Sequence, residues 1–286
     1  MIIAAALCPS PPLLHPALTG RETVVPELRA ACARAAGRLL RDDPGVIVVV
    51  GPAAATGEWD PAARLAPAAY APGLPRTADR ALPLALGLGA MLLDQAGYRG
   101  RRRLQAVGQD EPAPACAALG AMLGGAQDRA ALLVMGDGSA RRSLKAPGYL
   151  DPRAAGFDAE VERAVRAGDL GALLRLDQAL ARDLMVTGRP AWQVLAGAAA
   201  GLGLATEVLY HGDPFGVAYL VAYVTSESRD PQVPALAQLL GGFQEAAEFL
   251  GAAPRVQHPA LGPLLGPPGP AERPEPAQVP PSLRLF

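Results

Sequence analysis

The turn at residues 136–139, Gly-Asp-Gly-Ser, places an acid and a hydroxyl directly after an apolar run, and three basic residues follow before position 146. Asp137 and Ser139 carry the side-chain types that acid–base and nucleophilic chemistry use. Arg141, beside the backbone N–H groups of a glycine-rich turn, suits a carboxylate or phosphate on a ligand. The alternative is that Asp137 caps the next segment while the basic residues face water.

Similar side chains follow other apolar runs of the sequence. Ser10 lies just after the first run, and His211 and Asp213 share a turn between the last two. In open α/β sheets, ligands bind beyond the carboxyl ends of the strands, where such side chains converge. We therefore predict catalytic candidates Asp137, Ser139 and His211, and ligand-binding candidates Ser10, Arg141, Arg189 and Asp213.

No complete catalytic signature accompanies these residues. The chain has no G-x-G-x-x-G motif, no P-loop and no G-x-S-x-G nucleophile elbow. Its histidines are at positions 15, 211 and 258, and the last lies in a proline-rich region. A metal site of two histidines and a carboxylate would have to combine His15 and His211, with Asp213 as the third ligand.

The pattern of apolar residues predicts the elements that must position these side chains. The β-branched run at 45–52, bounded by glycine, is typical of a parallel strand covered on both faces. Further strands are predicted at 2–8, 104–108 and 129–135, with a hairpin at 205–224. Helices are predicted at 27–41, 113–123, 157–167 and 169–186, and residues 53–80 are expected to be irregular. The fold class is α/β, a single domain with a mainly parallel central sheet flanked by helices.

The amino-acid composition indicates where the domain ends and which classes of partner it excludes. Prolines concentrate after residue 250, so we expect the domain to span 1–250 and residues 251–286 to form an extended or disordered tail. A net charge of −1 argues against nucleic-acid binding, and no run suits a membrane span. Three widely spaced cysteines fit a reducing cytoplasm. A small-molecule ligand and a homo-oligomer are both compatible with the sequence.

Several of these segments, taken in order, resemble the class III extradiol ring-cleavage dioxygenase superfamily, which includes the catalytic subunit of protocatechuate 4,5-dioxygenase and Memo-like proteins. The similarity covers roughly residues 1–225 and rests on the opening strand with "CPSPPLL", on "VIVVVGP", on "GDGSARR" through "GYLDPRAAGFD", on "TGRPAWQVLAGAAAGLG" and on "GVAYLVAYV". The resemblance implies an α/β domain with an open cleft at one edge of the sheet. It also implies Fe(II) held by two histidines and a glutamate, with another histidine as acid or base.

The residues at the family's metal positions differ from that pattern. The first ligand histidine would fall on Ser10, and the second would fall within the alanines at 53–55. The acid–base histidine would fall on Ala140, and the cysteine ligand of Memo-like proteins on Thr187. Neutral hydroxyls such as those of Ser10 and Thr187 are poor ligands for Fe(II), and alanine side chains supply no ligand. We therefore expect no cofactor, and Fe(II) is implied by the resemblance alone.

Three functions stay open from the sequence. The chain could bind a small aromatic or anionic ligand in a residual cleft, or perform divergent chemistry there. It could be an active extradiol-type oxidoreductase with a rebuilt metal site at His15, His211 and Asp213. It could also be a non-catalytic scaffold whose proline-rich tail contacts a partner.

Overall fold

A computed structural model of the chain describes residues 1–19, 24–67, 70, 81–125 and 129–229, with side chains to residue 225 at the end of the last strand. The predicted tail at 251–286, the last part of the predicted domain and His258 lie outside the described residues. Within the described residues, no helix is both long enough and apolar enough to span a membrane.

Seven strands form one mixed sheet in the order β3-β4-β2-β5-β1-β7-β6. The four strands β4, β2, β5 and β1 are mutually parallel, and β3, at one edge, and β7 pair antiparallel with their neighbours. The prediction of an α/β fold with a mainly parallel central sheet is confirmed. The strands are β1 (Ile2–Cys8), β2 (Val46–Ala53), β3 (Gly57–Trp59), β4 (Arg102–Gly108), β5 (Ala130–Met135), β6 (Leu202–Gly212) and β7 (Tyr219–Arg229).

Helices cover both faces of this sheet, which is why its central strands are continuous apolar runs. In β2, Val48 and Val50 join the core beneath one helical layer, while Ile47 and Val49 join the core beneath the other. The first layer holds α4, α5 and α7, and the second holds α2 and α3. The helices are α1 (Pro16–Thr19), α2 (Pro26–Arg41), α3 (Leu84–Gln95), α4 (Ala113–Gly125), α5 (Arg153–Arg166), α6 (Gln178–Asp183) and α7 (Arg189–Ala198).

The structure corrects two predicted segments. The expected helix at 169–186 is instead a 3-10 helix, Leu170–Arg175, followed by α6, and the side chains of Asp169 and Asp177 each cap one of them. Acidic caps interrupt a run whose apolar spacing alone would suit one helix. The segment expected to be irregular after residue 53 contains the edge strand β3, which pairs antiparallel with β4.

The connection that follows β5 crosses one face of the sheet, whereas the connections that follow its neighbours β1 and β2 cross the other face. β1 and β2 lead into α2 and α3 on one face, whereas β5 leads into α5 on the other. Where adjacent connections diverge in this way, a crevice opens beyond the carboxyl ends of the strands. The residues directly after β5 therefore lie where a ligand site is expected.

Helices α4 and α7 approach so closely that glycine is required at their contact. A Cβ atom on Gly197 would lie 2.1 Å from the backbone oxygen of Ala117, and one on Gly120 would lie 2.0 Å from that of Val194. Backbone atoms cannot move aside as a flexible side chain can, so these glycines set the distance between the helices.

We expect Gly197→Ala to lower the free energy of unfolding by about 2 kcal/mol or more, because the added methyl group forces α7 away from α4. Gly37→Ala in α2 is the matched control, since nothing lies within 4 Å of its Cβ position. That control should gain up to about 1 kcal/mol from helix propensity. Urea denaturation monitored by circular dichroism measures both changes, and equal effects of the two variants would contradict the packing.

Candidate functional site

Hydrogen bonds connect the carboxyl ends of four parallel strands in one series. The backbone oxygen of Ala53, which ends β2, accepts from the N–H of Gln109 at 3.2 Å, just after β4. The Gln109 side chain donates to the backbone oxygen of Thr187 at 3.1 Å, and the Thr187 hydroxyl accepts from the N–H of Asp137 at 3.0 Å. The Asp137 carboxyl then accepts from the N–H of Ser10 at 2.6 Å, just after β1. Ser10 and Asp137 are therefore brought together as predicted from the strand ends.

Asp137 is fixed from three sides by these contacts. Its N–H and its carboxyl oxygen Oδ1 are both bonded, and its backbone oxygen accepts from the N–H of Gly188 at 2.9 Å. This approach requires glycine, because a Cβ atom on Gly136 would lie 2.4 Å from the Cα of Gly188. The start of α7 can thus reach the end of β5 only because residue 136 lacks a side chain.

The environment of Asp137 raises its pKa to about 7. Burial of the carboxyl group among protein atoms is the main cause, and the N–H of Ser10 partly offsets it by stabilising the ionised form. No charged side chain of the described residues contributes to this shift. Asp137 thus changes its charge near neutral pH, which is the range in which an acid–base group works best.

Two polar side-chain atoms at this place have no hydrogen-bond partner among the described residues. One is Oδ2 of Asp137, a half-buried residue. The other is the hydroxyl of Tyr219 at the start of β7, a residue only 3% exposed. Burial and the nearby Asp137 carboxylate both raise the pKa of Tyr219, so its phenol stays neutral.

Ser139 and Asp213 belong to a separate polar network on the α5 face of the sheet. The Ser139 hydroxyl donates to Asp158 on α5 at 2.5 Å, and the Ser139 N–H donates to the same carboxyl at 2.9 Å. The Arg142 guanidinium lies 3.7 Å from Asp158 and 3.1 Å from Asp213. Ser139 is fully buried, so these contacts fasten the turn after β5 to α5.

His211 lies beside this network and contacts Glu162 on α5, with 2.9 Å between Nδ1 and Oε2. The crevice that His211, Glu162, Asp158 and Tyr219 border has a volume of about 10 Å³. That volume is enough for about one water molecule and too small for an organic ligand. The structure therefore places the catalytic candidates in two groups, with Asp137 bonded to Ser10 and Thr187, and with Ser139 and His211 on the α5 side.

The metal set of His15, His211 and Asp213 is not assembled. His15 faces a groove beside α3 and accepts from the N–H of Ala17 at 3.2 Å, whereas His211 faces α5 across the sheet. Among the described residues, no three His, Cys, Asp or Glu side chains are close enough together to hold a metal ion. These three residues do not lie together, because His15 is on the α3 side of the sheet and His211 is on the α5 side.

The two ligand-binding arginines are also turned away from Asp137. Arg189 is 2% exposed and donates to the side chain of Gln193 and to the backbone oxygens of Gln109 and Glu111. Arg141 packs against Gly148, and its buried Nε has no partner among the described residues. The contacts of Arg189 favour a structural role, and neither guanidinium compensates the charge of Asp137.

Sequence reasoning singled out neither Tyr219 nor the acids of α5 as candidate site residues. Asp158 and Glu162 occur in an acidic-then-basic helix that looks like any solvated helix face. Tyr219 lies in an apolar strand, where an aromatic residue is expected in the core. The register of β7 against β1, in which Ala222 pairs with Leu7, carries Tyr219 up to the level of Ser10. No signal in the sequence specifies that register.

The donor set at this edge of the sheet does not fit Fe(II). The strand ends here carry Ser10, the alanines at 53–55 and Thr187, and the Thr187 hydroxyl is already an acceptor for the N–H of Asp137. One carboxyl group, one phenol and backbone amides do not supply the two imidazoles and carboxylate of a non-haem iron site.

Comparisons with known proteins give little beyond the fold. No family model matches the chain, and no curated protein matches its sequence. The chain is similar to the crystal structure of an uncharacterized protein from Escherichia coli K12, with a TM-score of 0.48 and 14% identity over 78% of this chain and 100% of that one. At this level the likeness carries no inference about ligand or activity.

We expect Asp137→Asn to stabilise the protein above neutral pH. The folded state holds the proton of Asp137 up to about pH 7, whereas the unfolded chain releases it near pH 4, so the wild-type protein loses stability between these values. Asparagine stays neutral and can keep the bond from Ser10. The variant's advantage in unfolding free energy should grow by at most about 1.4 kcal/mol per pH unit over that window. Urea denaturation at several pH values measures it, and an advantage independent of pH would contradict the raised pKa.

Proposed function

We propose that this chain is a small-molecule-binding protein similar to the class III extradiol dioxygenases, in which the cleft at the end of β5 takes a small aromatic ligand without the family's iron. Asp137 exchanges a proton with that ligand. The observation that carries the proposal is the carboxyl group of Asp137, which has one open oxygen and a pKa about 7 at the crevice beyond the parallel strands. Binding sites and perturbed acids concentrate at such positions in α/β folds.

The surroundings of Asp137 support an aromatic ligand over an anionic one. The Tyr219 phenol lies near Asp137 and stays neutral, so it adds no positive charge that an anion could use. Of the two arginines expected to hold an anion, Arg189 donates to backbone oxygens and Arg141 packs against Gly148. The neighbouring Arg142 lies beside two carboxylates. A second negative charge beside an uncompensated carboxylate would be repelled.

Proton transfer is the chemistry that these residues support. A carboxyl group with a pKa near the working pH can accept or donate a proton with a small energetic cost. The Thr187 hydroxyl and the N–H of Ser10 hold Asp137 in one orientation, so the group is positioned before any ligand arrives. No step of ring cleavage is proposed, because the donor set does not fit Fe(II).

The second candidate function is binding to a partner protein. A surface of exposed apolar residues, separate from the predicted proline-rich tail, supports it. Tyr149, Met185 and Phe215 are exposed, and each has a left-handed backbone conformation with φ of 60°, 58° and 61°. Their segments are neighbours, since Gly148 approaches the Met185 sulfur and Gly216 approaches Ser143 and Ala146. Strained residues that display large apolar side chains are typical of functional surfaces.

Titration with three probes that share one ring, namely benzyl alcohol, benzoate and benzylamine, tests ligand binding. We expect at least one of them to bind and to shift the ¹³C signal of the Asp137 carboxyl group together with the ring signals of Tyr219. If none of the three changes either signal at millimolar concentration, the proposed function fails. Stoichiometric Fe(II) in protein loaded anaerobically, with oxygen uptake on added catechol, would also contradict it.

A further inference from the structure

We infer that the groove beside α3 is a second ligand site, which takes a small carboxylic acid with an apolar body and binds its carboxylate through His15 and Arg64. The lining of this groove does not include Asp137. The inference therefore goes beyond the proposed function and does not depend on it.

The groove is a cavity of about 390 Å³ whose lining is mainly aliphatic. Leu82 and Ala90 are buried, and Leu65 and Met91 are partly buried where they pack on the core beneath α3. Natural ligand pockets have volumes of about 300 to 1,000 Å³ and are mostly apolar, with a few polar groups that orient the ligand. The groove therefore has the size and the lining that suit the apolar body of a small organic molecule.

The walls of the groove are held in place by contacts within the chain. The N–H of Leu82 donates to the backbone oxygen of Arg64 at 3.1 Å, which joins the two segments that border the groove. Leu65 lies directly on the backbone of α3 at Gly87, because a Cβ atom on Gly87 would lie 2.6 Å from that of Leu65. The shape of the groove is therefore set before a ligand arrives, which lowers the entropic cost of binding.

His15 offers a hydrogen-bond donor to this groove. Its Nδ1 accepts from the N–H of Ala17 at 3.2 Å, so the proton of the neutral ring is on Nε2. Burial lowers the pKa of His15, which keeps the imidazole neutral near pH 7. The Nε2–H group has no hydrogen-bond partner among the described residues and can donate to a ligand.

Arg64 supplies an uncompensated positive charge at the same groove. Its Nη1 donates to the backbone oxygens of Ala62 and Ala63 at 2.8 and 3.1 Å, which leaves Nε and Nη2 without a partner in the described part of the chain. The acid of the groove, Asp94, is already paired with Arg102 at 2.6 Å.

Charge complementarity therefore selects the polar group of the ligand. The free groups of His15 and Arg64 are all donors, and one of them belongs to a cation. A carboxylate accepts hydrogen bonds at both of its oxygens and carries the opposite charge. An alcohol could accept one of these bonds but would leave the guanidinium without a counter-charge, and an ammonium group would be repelled by it.

An NMR titration of the full chain with hexanoate, hexanol and hexylamine, which share one alkyl chain, tests the inference. The chain is labelled with ¹³C at its methionine methyl groups, because Met91 lines the groove, and the variant Met91→Leu assigns that signal. We expect hexanoate to shift the Met91 signal at millimolar concentration. It should bind at least about threefold more tightly than hexanol or hexylamine, as the additional charge contact requires.

Three variants and a control locate the polar and the apolar contacts. Arg64→Gln should weaken hexanoate about fivefold, and His15→Phe, which keeps a ring without the donor, about threefold, while neither changes the affinity for hexanol. Ala90→Leu narrows the cavity and should weaken hexanoate and hexanol alike, with its urea midpoint confirming that it folds. Arg175→Gln removes an exposed guanidinium near Asp169 and should leave all affinities unchanged.

The inference is wrong if hexanol or hexylamine binds at Met91 more tightly than hexanoate. It is also wrong if hexanoate leaves the Met91 signal unchanged at millimolar concentration, or if Arg64→Gln and Arg175→Gln lower its affinity equally. Each of these outcomes leaves the proposed function standing, because that function is read from the signals of Asp137 and Tyr219 with a different set of probes.

Discussion

A carboxyl group that is held among protein atoms without a compensating charge is the constraint on which the rest of this edge of the sheet depends. Asp137 keeps one hydrogen bond from Ser10 and one open oxygen, and its pKa stands near 7 because burial disfavours the ionised form. Ion pairing would have lowered that pKa, and full solvation would have returned it to its usual value. The raised pKa therefore follows from burial without a cation beside the carboxyl group among the described residues.

The two faces of the sheet use polar residues in opposite ways. On the α5 face, Ser139, Asp158 and Arg142 satisfy one another and close the space to about one water molecule. These mutual contacts hold the turn after β5 in one conformation. Asp137, in the same turn, bonds instead to Ser10 and Thr187. The closed network also holds the position of Asp137, because one short turn carries both Asp137 and Ser139.

The sequence predicted the fold class and most strands because their residues report burial directly. The run Val46–Ala53 has apolar side chains at successive positions, which only a strand covered on both faces can bury. The sequence-based prediction of one helix at 169–186 was wrong, because the side chains of Asp169 and Asp177 each cap the start of a separate, shorter helix. For the site, the strand ends bring Ser10 and Asp137 into contact, whereas Ser139 bonds to Asp158 on α5 instead of lying beside Asp137. The sequence could not separate these two residues, because their partners come from β1 and α5, far away along the chain.

By itself the sequence determined which residue types stand at the end of each strand, among them Ser10, the alanines at 53–55 and Asp137. Those are facts of identity and position, and they need no coordinates. Only the tertiary structure decided which of these side chains meet, because strand order and register bring together residues far apart in the chain. Asp137 and Ser10 are 127 positions apart and share a hydrogen bond. His15 and His211 both lie near strand ends, yet the sheet separates them.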